Sequence, residues 1–256
     1  MWIKLIVSMV AGFGAGVGTG LAGLSAAAVI SPMLIIFLGV PAYQAIGIAL
    51  ASDVLASAVS AYTYGKSKNL DIKNGLVMLA SILVFTMVGS FASSGVENGV
   101  MGNFSLVMTT LMGIKFIVKP VMTTKENMET KSRKRKIIES IVCGILIGLI
   151  CGFVGAGGGM MMLLILTGVL GYELKTAIGT SVFNMTFTAL TGAVSHFAIG
   201  GMPDLFLLGA CVVFTLIFAR LAARFANVST PEVLNRALGI VLTVFGIVMI
   251  VVDKMA

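Results

Sequence analysis

Long apolar runs alternate along this chain with short polar or Gly/Pro-marked interruptions, and their spacing predicts helical segments at 3–24, 26–39, 43–64, 71–94 and 99–118. A second set follows at 137–155, 157–171, 174–199, 202–226 and 231–252. Crossing a hydrocarbon core of about 30 Å takes about 20 residues of helix. Segments 26–39 and 157–171 fall short of that, so each is expected to be a half-helix behind a glycine-marked break.

The two sets are copies of each other at an offset of 132 residues. Gly12, Gly16, Gly20 and Gly23 fall on Gly144, Gly148, Gly152 and Gly155, while Leu34, Gly39, Ala45, Ile46 and Gly47 fall on Leu166, Gly171, Ala177, Ile178 and Gly179. Duplicated, glycine-interrupted apolar segments at matching positions in two halves are the sequence pointer to a secondary transporter and its binding site. The pattern predicts an all-α integral membrane protein of about ten hydrophobic helical segments in two inverted five-segment repeats. The first repeat spans 1–118, a basic linker 119–136, and the second repeat 137–256.

Composition narrows the picture. At 58% hydrophobic and 11% charged residues, with mean hydropathy +1.09, the chain has too little polar surface to cover a soluble core. Its net charge of +7 does not point to nucleic acid, because the cations lie between apolar spans with no aromatic-basic motif. Cys143, Cys151 and Cys211 all sit inside apolar segments and predict packing rather than a disulfide framework. With one histidine and three scattered cysteines, no haem pair or cluster can be built, and no cofactor or metal is expected. The apolar N-terminus resembles a signal peptide, but its internal counterpart around 133–162 argues for a retained span.

Charge also sets orientation. Lys115, Lys119, Lys125 and the run from Lys131 to Lys136 mark the linker as cytoplasmic under the positive-inside rule. Five crossings per half bring Lys66, Lys68, Lys73, Lys175, Arg220, Arg224 and Arg236 to the same side, which accounts for fifteen of the seventeen basic residues. An even number of crossings per half would face the three late arginines outward. The expectation is therefore two odd-numbered, mutually inverted halves in a plasma membrane of bacterial type, with both termini outside. Lys115 is expected to snorkel to the cytoplasmic surface, and the linker to touch anionic lipid.

The glycines divide into two kinds. Gly12, Gly16 and Gly20, like Gly144, Gly148 and Gly152, have small-xxx-small spacing and predict close helix packing. Gly18-Thr19-Gly20-Leu21-Ala22-Gly23 spells G-x-G-x-x-G, but no βαβ context accompanies it. The dense cluster Gly155-Ala156-Gly157-Gly158-Gly159 is different, since each helical glycine costs roughly 1 kcal/mol without adding a packing face. It predicts a helix break at membrane depth lining a cavity, where the N–H groups and positive dipole end of the next half-helix suit an anion. Its counterpart is Gly23-Leu24-Ser25, in which Ser25 can cap the following helix or donate to a ligand.

The stretch from Gly152 to Gly159, followed by Ala177-Ile178-Gly179-Thr180-Ser181, closely resembles the second-repeat signature of the sulfite exporter TauE/SafE family of membrane permeases. Gly20 to Gly23, Pro32, Gly39-Val40-Pro41 and Ala45 match the first repeat. Ser25-Ala26-Ala27 stands where a glycine triplet is common, and Leu164 where a proline is common. The resemblance covers essentially the whole chain. It implies transport of small sulfur-containing anions such as sulfite, sulfoacetate and other organosulfonates.

Polar residues within the spans complete the candidate site. An aspartate at mid-helix costs about 2.5–3.5 kcal/mol on insertion scales, so Asp53 should face protein or water. Ser52, Ser57 and Ser60 accompany it, and the second half offers Thr180, Ser181, Asn184, Thr188 and Thr191. The expected substrate contacts are Gly23, Leu24, Ser25, Ser52, Gly155, Ala156, Gly157, Gly158, Thr180, Ser181 and Asn184, with Asp53 as a proton-coupling or gating residue; interhelical hydrogen bonding is the alternative for each span hydroxyl or amide, and a protonated helix–helix donor for Asp53. His196 is expected to pack or to sit at an interface. A serine hydrolase using Ser25 or Ser181 is disfavoured by the missing G-x-S-x-G elbow. The expected activity is alternating-access export, which an inside-negative potential favours by about 2.3 kcal/mol per charge per 100 mV. A non-transporting anchor or sensor subunit for sulfur metabolism is the alternative, and a homodimer is compatible with the sequence.

Overall fold

The computed structural model describes residues 1–93, 107, 110–111, 113–126, 133–154, 158–200 and 202–255. Helices α1 (Trp2–Ala22), α2 (Ala27–Leu38), α3 (Ala42–Lys66) and α4 (Ile72–Ser93) come from the first half of the chain. Helices α5 (Arg133–Val154), α6 (Gly158–Gly168), α7 (Leu174–Gly200), α8 (Leu205–Val228) and α9 (Pro231–Met255) come from the second. Residues 113–118 are also helical, and no strand occurs among the described residues. The protein is thus an all-α membrane protein. By length and apolarity α1, α3 and α8, with Leu174–Ala198 of α7 and Pro231–Val248 of α9, can each cross a bilayer. At 12 and 11 residues, α2 and α6 reach only about 16–18 Å.

One boundary differs from the expected segments in an instructive way. The α5 helix begins at Arg133, inside the basic run, and not at the first apolar residues near 137. Arginine and lysine are good helix formers, so polarity by itself does not end a helix.

The helices are built inside out relative to a soluble protein. In α1 the large side chains of Trp2, Ile3, Ile6, Val10 and Phe13 are exposed, while Ala11, Gly12, Ala15, Gly16 and Gly20 are buried. Lipid is as apolar as leucine, so burying a large side chain against another helix gains little over leaving it in the bilayer. Small residues instead let backbones approach closely.

The chain forms two compact units, each drawn from both halves of the sequence: 1–68 with 182–228, and 69–181 with 229–256. In the first unit α1 runs parallel to α8. A Cβ on Gly12 would meet Phe214 Cβ at 2.6 Å, and one on Gly16 would meet the Thr215 carbonyl oxygen at 2.6 Å and the Ala219 nitrogen at 2.8 Å. One on Gly20 would collide with the Ala219 carbonyl oxygen, with Ala222 Cβ 2.7 Å away. Lys4 pairs with Asp204 at 2.7 Å at the shared start of the two helices. The Tyr64 hydroxyl donates to the Gly20 carbonyl at 2.9 Å, which brings the ends of α1 and α3 together.

In the second unit α5 runs parallel to α4 through the same device. A Cβ on Gly144 would meet Ser81 Cβ at 2.7 Å, and one on Gly148 the Ile82 carbonyl oxygen at 2.8 Å and Phe85 Cβ at 2.9 Å. There α9 packs antiparallel to the 110–121 stretch: Gly239 abuts Ile117 and Gly113, Gly246 abuts Thr110, and the Asn235 amide bonds both the N–H and the carbonyl of Val121.

Candidate functional site

Helix α1 stops because Gly23 turns left-handed, at φ 64° and ψ 29°. Its N–H donates to the Thr19 carbonyl at 3.0 Å and the Leu24 N–H to the Gly18 carbonyl at 3.1 Å, a Schellman closure that occupies both donors. The Thr19 hydroxyl donates to the Leu24 carbonyl at 2.8 Å. The Gly23 and Leu24 backbones are therefore spent on ending α1, and the Ala28 and Val29 N–H groups on the Ser25 and Ala26 carbonyls at 3.1 Å each, so the next donors along the chain belong to Ser25 and Ala26.

At that turn the Ala27 N–H donates to Ser25 Oγ at 3.3 Å, and Ser25 Oγ donates to Asp53 Oδ2 at 2.7 Å. Asp53 lies in the middle of α3 with no solvent exposure. Its Oδ1 makes no hydrogen bond of full geometry among the described residues. The protein's own acid thus faces the positive end of α2, the place where the sequence predicts a substrate anion.

The hydroxyl lining of α3 mostly turns back on its own helix. Ser52 donates to the Ile48 carbonyl at 2.8 Å and Ser57 to the Asp53 carbonyl at 2.5 Å. Thr186 Oγ1 of α7 lies 3.1 Å from Ser57 Oγ, while Ser60 is buried with no partner for its hydroxyl among the described residues. Asn184, also wholly buried, belongs to this unit. Ser25 and Asp53 are in direct contact; Ser52 and Asn184 share their unit.

Thr180 and Ser181 belong to the second unit. Ser181 donates to the Ile178 carbonyl at 2.9 Å. Thr180 Oγ1 accepts from the Asp71 N–H at 3.2 Å and joins a cluster that sequence reasoning missed. Asp71 caps α4, accepting from the Asn74 N–H at 3.2 Å and the Asn74 side-chain amide at 2.6 Å, and it also receives the Tyr172 hydroxyl at 3.1 Å. Burial, and then the neighbouring Asp71 carboxyl, hold the Tyr172 phenol well above its ordinary titration range, so it stays a donor. An aspartate immediately before an apolar run was the available signal. Of the second glycine break, Gly158 begins α6, while Gly155, Ala156 and Gly157 lie outside the described residues.

His196 packs, as its position in the sequence predicts. Its ring lies over Tyr43 with centroids 4.2 Å apart, and Nδ1 is 3.2 Å from the Tyr43 carbonyl oxygen. Ser25 and Ser181 spend their hydroxyls on Asp53 and a backbone carbonyl, so neither is paired with it for nucleophilic chemistry. Among the described residues no group of three or more His, Cys, Asp or Glu side chains could hold a metal ion.

A serine hydroxyl has a single proton to donate. Ser25 gives it to Asp53, so that hydroxyl is already engaged by the protein's own carboxyl.

A family model described as sulfite exporter TauE/SafE matches residues 8–249. Among curated proteins, the chain is 21% identical over 235 residues to the probable membrane transporter protein YdhB of Bacillus subtilis, covering 92% of this chain and 96% of that one. It is 25% identical to a probable membrane transporter protein of Methanocaldococcus jannaschii, covering 97% and 96% of the two chains. It is 24% identical to the probable membrane transporter protein YunE of Bacillus subtilis, covering 80% and 83%. No solved structure matches.

Proposed function

Since the chain belongs to the sulfite exporter TauE/SafE family and is a multi-pass membrane transporter rather than an enzyme, we propose that it carries a small sulfur-containing oxyanion outward by alternating access. Sulfite, sulfoacetate and other organosulfonates are the candidate cargoes. The observation that carries this reading is the pairing of the α2 N-terminus and Ser25 with a buried acid, Asp53. A helix start that already faces a carboxyl has the donors and the dipole for an oxyanion of similar shape.

Asp53 then acts as the gate or the proton-coupling group. An incoming anion and an ionised Asp53 repel, so the substrate docks when Ser25 swings from the carboxyl to the substrate or when the carboxyl takes up a proton. Gly155, Ala156, Gly157 and Gly158 are the sequence counterparts of this break and are assigned as further substrate contacts. Thr180, Ser181, Asn184 and Ser52 are assigned as further polar contacts along the path. Family membership sets aside the alternative of a non-transporting subunit.

The charge map supports a plasma-membrane orientation with both termini outside and residues 119–136 in the cytoplasm. The parallel packing of α1 with α8 fits that map, because it starts both helices on one face. Export of a monovalent anion then runs down an inside-negative potential with no second ion required.

Counterflow in liposomes containing only this protein tests the reading. Exchange of radiolabelled sulfite or a sulfonate across the bilayer is the expected result. No exchange with any member of a broad anion panel would sink it.

A further inference from the structure

The last turns of α3 and α8 lie side by side in the first unit and enclose a cavity of about 540 Å³. Its polar wall carries Lys66, Arg220 and Arg224, with Ser67 beside them, and its apolar wall includes Val59 and Val228. Arg220 and Arg224 are one turn apart on the same face of α8, and Val59 and Lys66 are two turns apart on α3, so two helix faces form one groove. No acidic residue lines it, and none of the three cations is in an ion pair among the described residues.

Three cations around one cavity repel one another unless an anion joins them. Arg220 sits eight residues before the end of α8, about 12 Å inward, so the basic line descends from the polar surface along the apolar wall. A free inorganic anion gains nothing from that wall, whereas a phosphodiester with acyl chains uses both surfaces. We propose that this groove binds the headgroup of an anionic phospholipid. The helix carrying Asp53 forms one side of it, so the bound lipid braces α3 against α8.

Native mass spectrometry of the full chain in detergent tests this, with phosphatidylglycerol, phosphatidylcholine and inorganic phosphate as probes. Retention of phosphatidylglycerol over phosphatidylcholine is expected. Its affinity should fall about thirty-fold in Arg220→Gln/Arg224→Gln and about five-fold in Lys66→Gln, the scale set by one basic residue at an anionic surface. The control Lys73→Gln/Lys119→Gln removes equal charge elsewhere and should leave affinity within about two-fold. Lys66→Gln keeps the test decisive if the double arginine variant does not fold. Equal loss in the control, or equal retention of the two lipids, would overturn the proposal. Displacement of phosphatidylglycerol by millimolar inorganic phosphate would make this a free-phosphate site and would also overturn it.

Discussion

In the first unit Gly16 lays α1 against Thr215, Phe218 and Ala219; in the second, Gly148 lays α5 against Ile82, Phe85 and Thr86. Each contact set sits 133 residues from its counterpart, and the glycines 132, so one packing arrangement has been made twice with a single-residue shift. Gly39 and Gly171, also 132 apart, both turn left-handed at φ 61° and 67°. Asp204 and Asp71 both cap the helix that follows. The chemistry does not repeat. Asp53 falls on Met185, Ser25 on Gly157 and Ser52 on Asn184. Backbone contact leaves no room to vary and holds the two packings alike, whereas a buried polar side chain such as Asp53 differs freely between the matched stretches.

The sharpest way to break this contrast is to copy the second half's residue into the first. Asp53→Met frees the Ser25 donor but removes the proposed gating or coupling carboxyl, so transport should fall and lose its pH dependence while the protein stays folded. Asp53→Asn should preserve more transport but flatten its pH dependence. Wild-type rates and pH profile in Asp53→Asn, measured by counterflow in liposomes, would strip Asp53 of its role and make the two halves chemically equivalent.

Replacing the packing glycines asks whether the scaffolds really are alike. Gly16→Ala and Gly148→Ala each drive a methyl into backbone or Cβ atoms 2.6–2.9 Å away. Each should destabilise by about 1–3 kcal/mol, read as a lower midpoint of thermal unfolding in detergent. A large effect in one variant and none in the other would show that the repeated contact matters in only one unit.

What the sequence revealed follows the same division. Runs of apolar residues located α1 to α9. Gly12, Gly16, Gly144 and Gly148 announced close packing through their spacing, and Gly23 and Gly39 marked where α1 and α2 end. These features are local, since they depend on period and on the φ a residue tolerates. Partners were not legible. Nothing in the order of residues says that Ser25 gives its proton to an acid 28 positions away, that the Tyr64 hydroxyl reaches Gly20, or that Lys66 shares a groove with Arg220 and Arg224. Periodicity assigns a residue to a face, and only tertiary packing decides what meets that face.

Smaller effects sharpen the comparison further. No atom lies within 4 Å of a Cβ added at Gly39 or Gly171, so alanine there costs only the left-handed backbone, about 1–2 kcal/mol at each site by thermal unfolding. Unequal costs would mean that one turn relaxes where the other cannot. Tyr172→Phe should cost about 1 kcal/mol, because Asp71 keeps its Asn74 donors when the phenol is lost.

The two capping aspartates make the smallest and most specific test. Asp71 is held by neutral donors, Asn74 and Tyr172, whereas Asp204 is held by the Lys4 ammonium, which keeps its carboxyl below the ordinary aspartate range against a slight opposing effect of burial. A carboxyl so lowered stabilises the fold when ionised. Its contribution is present above the ordinary value of 3.8 and disappears as pH falls through the lower folded-state value. The pair is solvent-exposed, so it contributes less than about 1 kcal/mol and is screened by salt. Lys4→Gln should therefore lower the unfolding midpoint slightly at neutral pH and low salt, with the difference shrinking in high salt and vanishing in strong acid. Tyr172→Phe should keep its full cost in high salt, since no opposite charges are separated. A Lys4→Gln deficit that survives both acid and salt would mean that Lys4 acts through the packing of its aliphatic stem on α8, and that both caps are held by short-range contacts alone.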